Sequence, residues 1–156
     1  EILRFTKRNF TGEPFSAVPL PELLEELGAR VKEDCEANGI KFSLSTKRLT
    51  VRAKRSALFS VLFNLVFNAI EHAECTEISV RAEKSGERVF LKVTDNGKGL
   101  SDNARIFEPY FTGNESDDNS GLGLFIVKSE TEAMGGTIAY SGKNGSTFTL
   151  SLLSEF

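Results

Sequence analysis

Ser60-Val61-Leu62-Phe63-Asn64-Leu65-Val66-Phe67-Asn68-Ala69-Ile70-Glu71-His72-Ala73 is apolar at nearly every position. The exceptions fall mainly at Asn64, Asn68 and His72, four residues apart. Residues at that spacing lie on one face of a helix, one above the other. The stretch therefore predicts a helix that is oily on most sides and carries one polar stripe. A helix apolar all round is normally buried, and a buried amide without a partner costs on the order of 1–3 kcal/mol. Either Asn64 and Asn68 hydrogen-bond to neighbouring protein, or the stripe faces a polar ligand.

The segments around this helix, which extends over Lys54–Ala73, alternate between two periodicities. Phe15–Leu20 is a short extended segment, and Pro21 suits the first residue of a helix. Leu23, Leu24, Leu27, Val31 and Cys35 recur at helical spacing until Asn38-Gly39 stops them. Ile40, Phe42 and Leu44 alternate with polar residues as a half-buried strand would, and Leu49–Val51 is a short companion. After the long helix, Ile78, Val80 and Ala82, then Val89, Leu91 and Val93, alternate on either side of Ser85-Gly86-Glu87, which predicts an antiparallel hairpin. Asp95-Asn96-Gly97-Lys98-Gly99-Leu100 forms a glycine-bearing loop, and Thr112–Ser120 holds no apolar residue, as in a mobile loop. Gly121–Met134 predicts a helix ended by Gly135-Gly136, and a last hairpin runs over Thr137–Tyr140 and Ser146–Leu153. Strands that pair locally, with few helices, define an α+β chain: a two-layer sandwich whose mixed sheet is covered by helices on one face.

Composition narrows the function. The chain has 156 residues, the size of one ordinary domain. A net charge of −3 gives no basic field for nucleic acid or an anionic membrane. Lys47-Arg48 and Arg52-Ala53-Lys54-Arg55 read as solvated faces. Two cysteines, Cys35 and Cys75, without a Cys-x-x-Cys motif fit a reducing compartment and argue against zinc. No apolar run reaches the ~18 residues needed to span a bilayer, and no signal peptide is visible. The chain starts at Glu1 without a methionine, as a domain excised from a longer protein would.

Each chemistry-bearing motif is ambiguous alone. Asp95, Gly97 and Gly99 follow a strand; Asp95 can accept a hydrogen bond from an exocyclic amine, and the glycines allow close approach of a ligand. The same residues also make an ordinary tight loop. Gly121-Leu122-Gly123-Leu124 opens a helix, where unpaired N–H groups and the positive dipole end favour phosphate; it is equally a flexible hinge. No Gly-Lys-Ser/Thr follows it, so it is not a Walker loop. Asn64 and Asn68 are neutral oxygen ligands of the kind that Mg²⁺ accepts beside phosphates, or members of a buried amide network. His72, the only histidine, is either structural or close to a ligand.

In combination and in this order, the motifs closely resemble the catalytic ATP-binding domain of sensor histidine kinases, within the wider gyrase–chaperone–kinase–MutL ATPase family. The resemblance runs from about Phe15 to Leu153. Asn64-Leu65-Val66-Phe67-Asn68-Ala69 resembles the N box, and Asp95-Asn96-Gly97-Lys98-Gly99 the first glycine box. Phe107-Glu108-Pro109-Tyr110-Phe111 resembles the F box, and Gly121-Leu122-Gly123-Leu124 the second glycine box. Gly135-Gly136 and Gly145-Ser146-Thr147-Phe148 are similar to the usual ending.

The resemblance implies that Asn68 holds Mg²⁺ against the triphosphate, with Asn64 assisting, and that Asp95 binds the adenine amine. It implies that Gly97 and Gly99 leave room for the nucleotide, and that Gly121, Leu122, Gly123 and Leu124 meet the phosphates. His72, Phe107 and Phe111 would border the nucleotide, and Asp102–Ser120 would contain a mobile ATP lid. Residues 1–14 would end a helical dimerisation segment and linker, with the catalytic domain over 15–156. The implied activity is transfer of the γ-phosphate of ATP to a histidine on that dimerisation domain, with a response regulator downstream. The full-length protein would be a homodimer, with this domain cytoplasmic and its parent either soluble or membrane-anchored.

Two residues depart from the family pattern. Asn119 stands where the second glycine box usually begins with glycine, and Glu71 where a lysine or arginine is common. These keep open a degenerate or regulatory nucleotide-binding domain. A gyrase- or chaperone-type ATPase is the other alternative. Those relatives usually place a glutamate base where Asn64 stands, and an amide cannot take a proton from water.

Overall fold

A computed structural model of the chain describes residues 12–100, 105–108 and 123–155. Along the described chain come β1 (Ser16–Pro19), α1 (Leu20–Ala37), β2 (Lys41–Ser45), β3 (Thr50–Ala53) and α2 (Arg55–His72). They are followed by β4 (Glu77–Ser85), β5 (Arg88–Asp95), α3 (Gly123–Ala133), β6 (Thr137–Ser141) and β7 (Ser146–Leu153).

Five strands form one mixed sheet in the order β2-β4-β5-β7-β6, with β2 parallel to β4 and the other pairs antiparallel. β1 and β3 make a separate antiparallel pair. The alternation along β4, β5 and β7 sets the layers. Ile78, Val80 and Ala82 are buried, as are Val89, Leu91 and Val93, and Phe148, Leu150 and Leu152. Register aligns them across strands, with Val93 opposite both Val80 and Phe148. Glu83 and Arg81 on the other face pair with each other in water, and Lys92 lies 3.9 Å from Glu83.

The helices cover the apolar face. α1 buries Leu20, Leu23, Leu24, Leu27, Val31 and Cys35, a single stripe at helical spacing. Each leucine so buried is worth roughly 1.5–3 kcal/mol. α2 is the middle helix, packed against α1 on one side and α3 on the other. It buries Leu58, Val61, Leu62, Leu65 and Val66 together with Asn64.

The N-terminus of α2 is capped from a distance. Lys54, at its N-cap, makes no side-chain cap. The carboxylate of Glu13 instead accepts from the Ser56 amide at 2.8 Å and the Ala57 amide at 3.3 Å. An anion there meets unpaired N–H groups and the positive end of the helix dipole. Phe15, two residues on, lies beneath the charges of Arg52 and Lys54, at 5.6 and 5.3 Å.

Three expectations need adjustment. α1 begins at Leu20, so Pro21 is its second residue. Leu44 does not reach the core: it is 37% exposed, because β2 is an edge strand, and the side chain lies against Gly28 of α1, which offers no side chain to cover it. The companion strand is Thr50–Ala53, one residue later than the apolar run implied, and it pairs with β1 rather than with β2.

Candidate nucleotide-binding site

Asp95 ends β5 on the inward face of the sheet, between Ile78 and Ser146 on the flanking strands. It is 6% exposed. Its Oδ1 accepts from the Gly97 amide at 2.8 Å. Burial pushes its carboxyl above the ordinary value, while the Gly97 and Ser146 amides pull it back toward the ionised form. A carboxylate in this setting is a strong acceptor with little water to compete for it.

Hydrogen bonds hold the loop after Asp95 at Asn96, Gly97, Lys98 and Leu100. Asn96 Oδ1 accepts from the Thr76 and Glu77 amides at 2.9 and 3.0 Å, and its Nδ2 donates to Thr76 Oγ1 at 2.9 Å. Lys98 donates its amide to the carbonyl of Ala73, the residue that caps α2. Leu100 donates its amide to Tyr140 Oη at 2.7 Å, and Tyr140 Oη lies 3.1 Å from Ser146 Oγ. Gly97 is needed for packing: a Cβ there would stand 2.0 Å from the Ala73 carbonyl oxygen. Gly99 and Gly145 adopt positive φ, 75° and 104°, and a Cβ on Gly145 would strike the Asp95 carbonyl.

This loop and the C-terminal half of α2 border a small pocket of about 20 Å³ that opens to solvent. Asn68 and His72 line it from α2, Asp95, Gly99 and Leu100 from the loop, and Phe148 from β7. The structure therefore brings together Asn68, His72, Asp95 and Gly99, four of the residues singled out by sequence. Gly97 lies behind the loop, outside the lining. Phe107 supports the wall, edge-on to Phe148 with ring centres 6.2 Å apart. Gly123 opens α3 as described, and Leu124 packs partly buried against the core. Phe111, Gly121, Leu122 and Asn119, and the lid residues apart from 105–108, lie outside the described residues.

Asn64 is placed differently. It is 3% exposed, donates from Nδ2 to the Ser60 carbonyl at 2.7 Å, and lines a second cavity between α1 and α2. Glu71 is exposed, with a carboxylate oxygen 3.8 Å from His72 Nε2. Tyr140, Ser146 and Asn96 were not singled out by sequence. Only the Gly-Ser-Thr-Phe pattern pointed toward Ser146, and nothing local marks Tyr140.

A sheet covered on one face by helices, with the Asp95–Leu100 glycine loop docked on the end of the middle helix, defines a histidine-kinase-type ATP-binding domain. The chain belongs to the Histidine kinase-, DNA gyrase B-, and HSP90-like ATPase family, whose model matches residues 53–155. It is 37% identical over 157 residues to the sensor histidine kinase ZraS of Escherichia coli (strain K12), covering 96% of this chain and 33% of that protein. It is 29% identical to the sensor protein BceS of Halalkalibacterium halodurans, over 88% of this chain and 43% of that protein. The chain thus spans a third to less than half the length of these relatives. The nucleotide-free catalytic domain of histidine kinase ThkA superposes with a TM-score of 0.80 at 30% identity, covering 90% of this chain and 97% of that one. Full-length ShkA in complex with AMPPNP gives 0.82 at 26% identity, over 98% of this chain and 34% of that one.

Proposed function

We propose that this domain binds ATP with Mg²⁺ over the open pocket beside Asp95, which takes only the edge of the base, and donates the γ-phosphate to a histidine on a separate dimerisation domain, in two-component signal transduction. One observation supports this above all: Asp95 from β5 meets Asn68 and His72 from α2 in one pocket. The buried Asp95 carboxylate would accept from the adenine amine. Gly99 and Leu100, fixed by Tyr140, would border the base.

Among the described residues no three His, Cys, Asp or Glu side chains are grouped to hold a metal. The half-buried Asn68 amide oxygen fits a hard cation that takes its remaining ligands from water and phosphate. Bound Mg²⁺ would supply charge neutralisation on the phosphates. The domain's own residues position the nucleotide; an acceptor imidazole nitrogen forms the new P–N bond as the bridging P–O bond breaks and ADP leaves. Such a reaction is mainly positioning and charge stabilisation, so donor and acceptor can sit on separate modules.

Asn64 favours this over a gyrase-type hydrolysis, because an amide bonded to the Ser60 carbonyl cannot act as a base for water. Residues 1–14 would lead in from the dimerisation segment, the full-length protein would be a cytoplasmic-facing homodimer, and a response regulator would receive the phosphoryl group. Among the described residues no helix is long and apolar enough to cross a membrane. The test is incubation of this domain with labelled ATP and the helical domain of its parent. Acid-labile label on that domain is expected. Tight ATP binding with no label on any histidine would favour a regulatory nucleotide-binding domain instead.

A further inference from the structure

Tyr140 joins two parts of the pocket beside Asp95 from outside its lining. Its ring, on β6, packs against Phe148 with centres 4.9 Å apart. Two glycines leave room for its tip: a Cβ would stand 3.0 Å from Oη at Gly142 and 3.5 Å from it at Gly99. There Oη accepts from the Leu100 amide at 2.7 Å and lies 3.1 Å from Ser146 Oγ. Among the described residues these two groups are its hydrogen-bond partners. Ser146 is 6% exposed, pairs in register with Asp95 on the neighbouring strand, and lines the same pocket.

One polarity suits the Tyr140–Ser146 bond. The Leu100 amide can only donate, so it takes a lone pair of Oη and leaves the phenol proton to find an acceptor. Ser146 Oγ is the acceptor within reach. A phenol is also a stronger acid than an aliphatic alcohol, and the alcohol oxygen is the better acceptor, so the shared proton belongs to Tyr140. Ser146 Oγ then accepts from behind, and its own proton turns to the pocket that it lines. Hydroxyls aligned in such a chain strengthen one another. The pocket thus presents an acceptor, the Asp95 carboxylate, beside a donor, the Ser146 hydroxyl. The base edge complementary to that pair has an amine next to a bare ring nitrogen. Adenine has this arrangement. Guanine has a carbonyl oxygen next to an N–H, and neither group would find its counterpart.

We infer, on the footing of the ATP-binding role proposed above, that Tyr140 is a positioning residue: it holds the Ser146 hydroxyl as a donor into the pocket and so makes the site select adenine at its ring nitrogen N1. Calorimetric titration tests this with Mg²⁺–ADP and with the ADP analogue that carries a C–H in place of N1 and cannot accept there. Wild type, Tyr140→Phe, Ser146→Ala and the double variant are compared. Tyr140→Phe keeps the ring against Phe148 and Ser146→Ala removes only Oγ, so each should fold, with melting curves as the check. Wild type should prefer ADP about tenfold, the worth of one such hydrogen bond. Tyr140→Phe should cut that preference about threefold or more, and Ser146→Ala should abolish it. The double variant should match Ser146→Ala, because Tyr140 acts through Ser146. A merely structural role for Tyr140 would weaken both nucleotides equally. A preference left intact in Tyr140→Phe or Ser146→Ala, or a wild type that shows none, overturns the assignment and leaves the ATP site standing. Wild type that binds neither nucleotide overturns both.

Discussion

Asp95 carries a conflict that its mutation should expose. Folding buries the carboxyl and raises its pKa above the ordinary 3.8, with the Gly97 and Ser146 amides opposing. A raised folded value means that the protonated form is favoured on folding. Ionisation therefore removes stability as pH rises from the ordinary value through the raised one, and the cost is constant above that. Asp95→Asn cannot titrate, and its amide oxygen can still accept from Gly97. Urea unfolding of both proteins across this range should show the variant gaining on wild type as pH rises, then holding a constant lead. A gap that shrinks with rising pH would contradict the burial of Asp95. The importance of Asp95 was legible because Asp-x-Gly-x-Gly is a local pattern. Tyr140 was not, because its role is a bond to the Leu100 amide, forty positions away. Gly97 was legible as a required glycine but with a different neighbour: its missing Cβ makes way for the end of α2.

Among the elements, α2 is the one whose identity the sequence makes plainest, since fourteen consecutive residues report one periodicity. Its start is less legible. Lys54 offers no oxygen to the first turn, and the cap comes from Glu13, 43 residues before Ser56. No local pattern links them. Glu13→Gln, which keeps a hydrogen-bonding group and loses the charge, should lower stability by about 0.5–1 kcal/mol, and Glu13→Ala by somewhat more. Urea midpoints check both, and the charge-dependent part should shrink in high salt. The β4–β5 hairpin was legible for the same reason as α2, its strands and turn being contiguous. The parallel pairing of β2 with β4 was not, because the chain passes through β3 and α2 between them. The edge position of β2 also explains why its alternation overstated the burial of Leu44.

At the scale of the molecule, the sheet order decides where chemistry is possible. Running β5 between β4 and β7 brings Asp95 and Ser146 to one end of the sheet, and the glycine loop then docks on the carbonyl of Ala73. That places Asn68 and His72 of the polar stripe beside Asp95, in one shared pocket. The same packing separates Asn64 from Asn68, which spacing alone had put on one face. Asn64 turns to Ser60 and to the groove that Arg30 overlooks. The central claim is that a nucleotide binds at the pocket between Asn68 and Asp95. Calorimetric titration of Mg²⁺–AMPPNP into wild type, Asn68→Ala and Asp95→Asn measures it directly. Saturable binding by wild type, weakened at least tenfold in each variant with melting temperatures not lowered, is the expected result; unchanged affinity in both variants would contradict it.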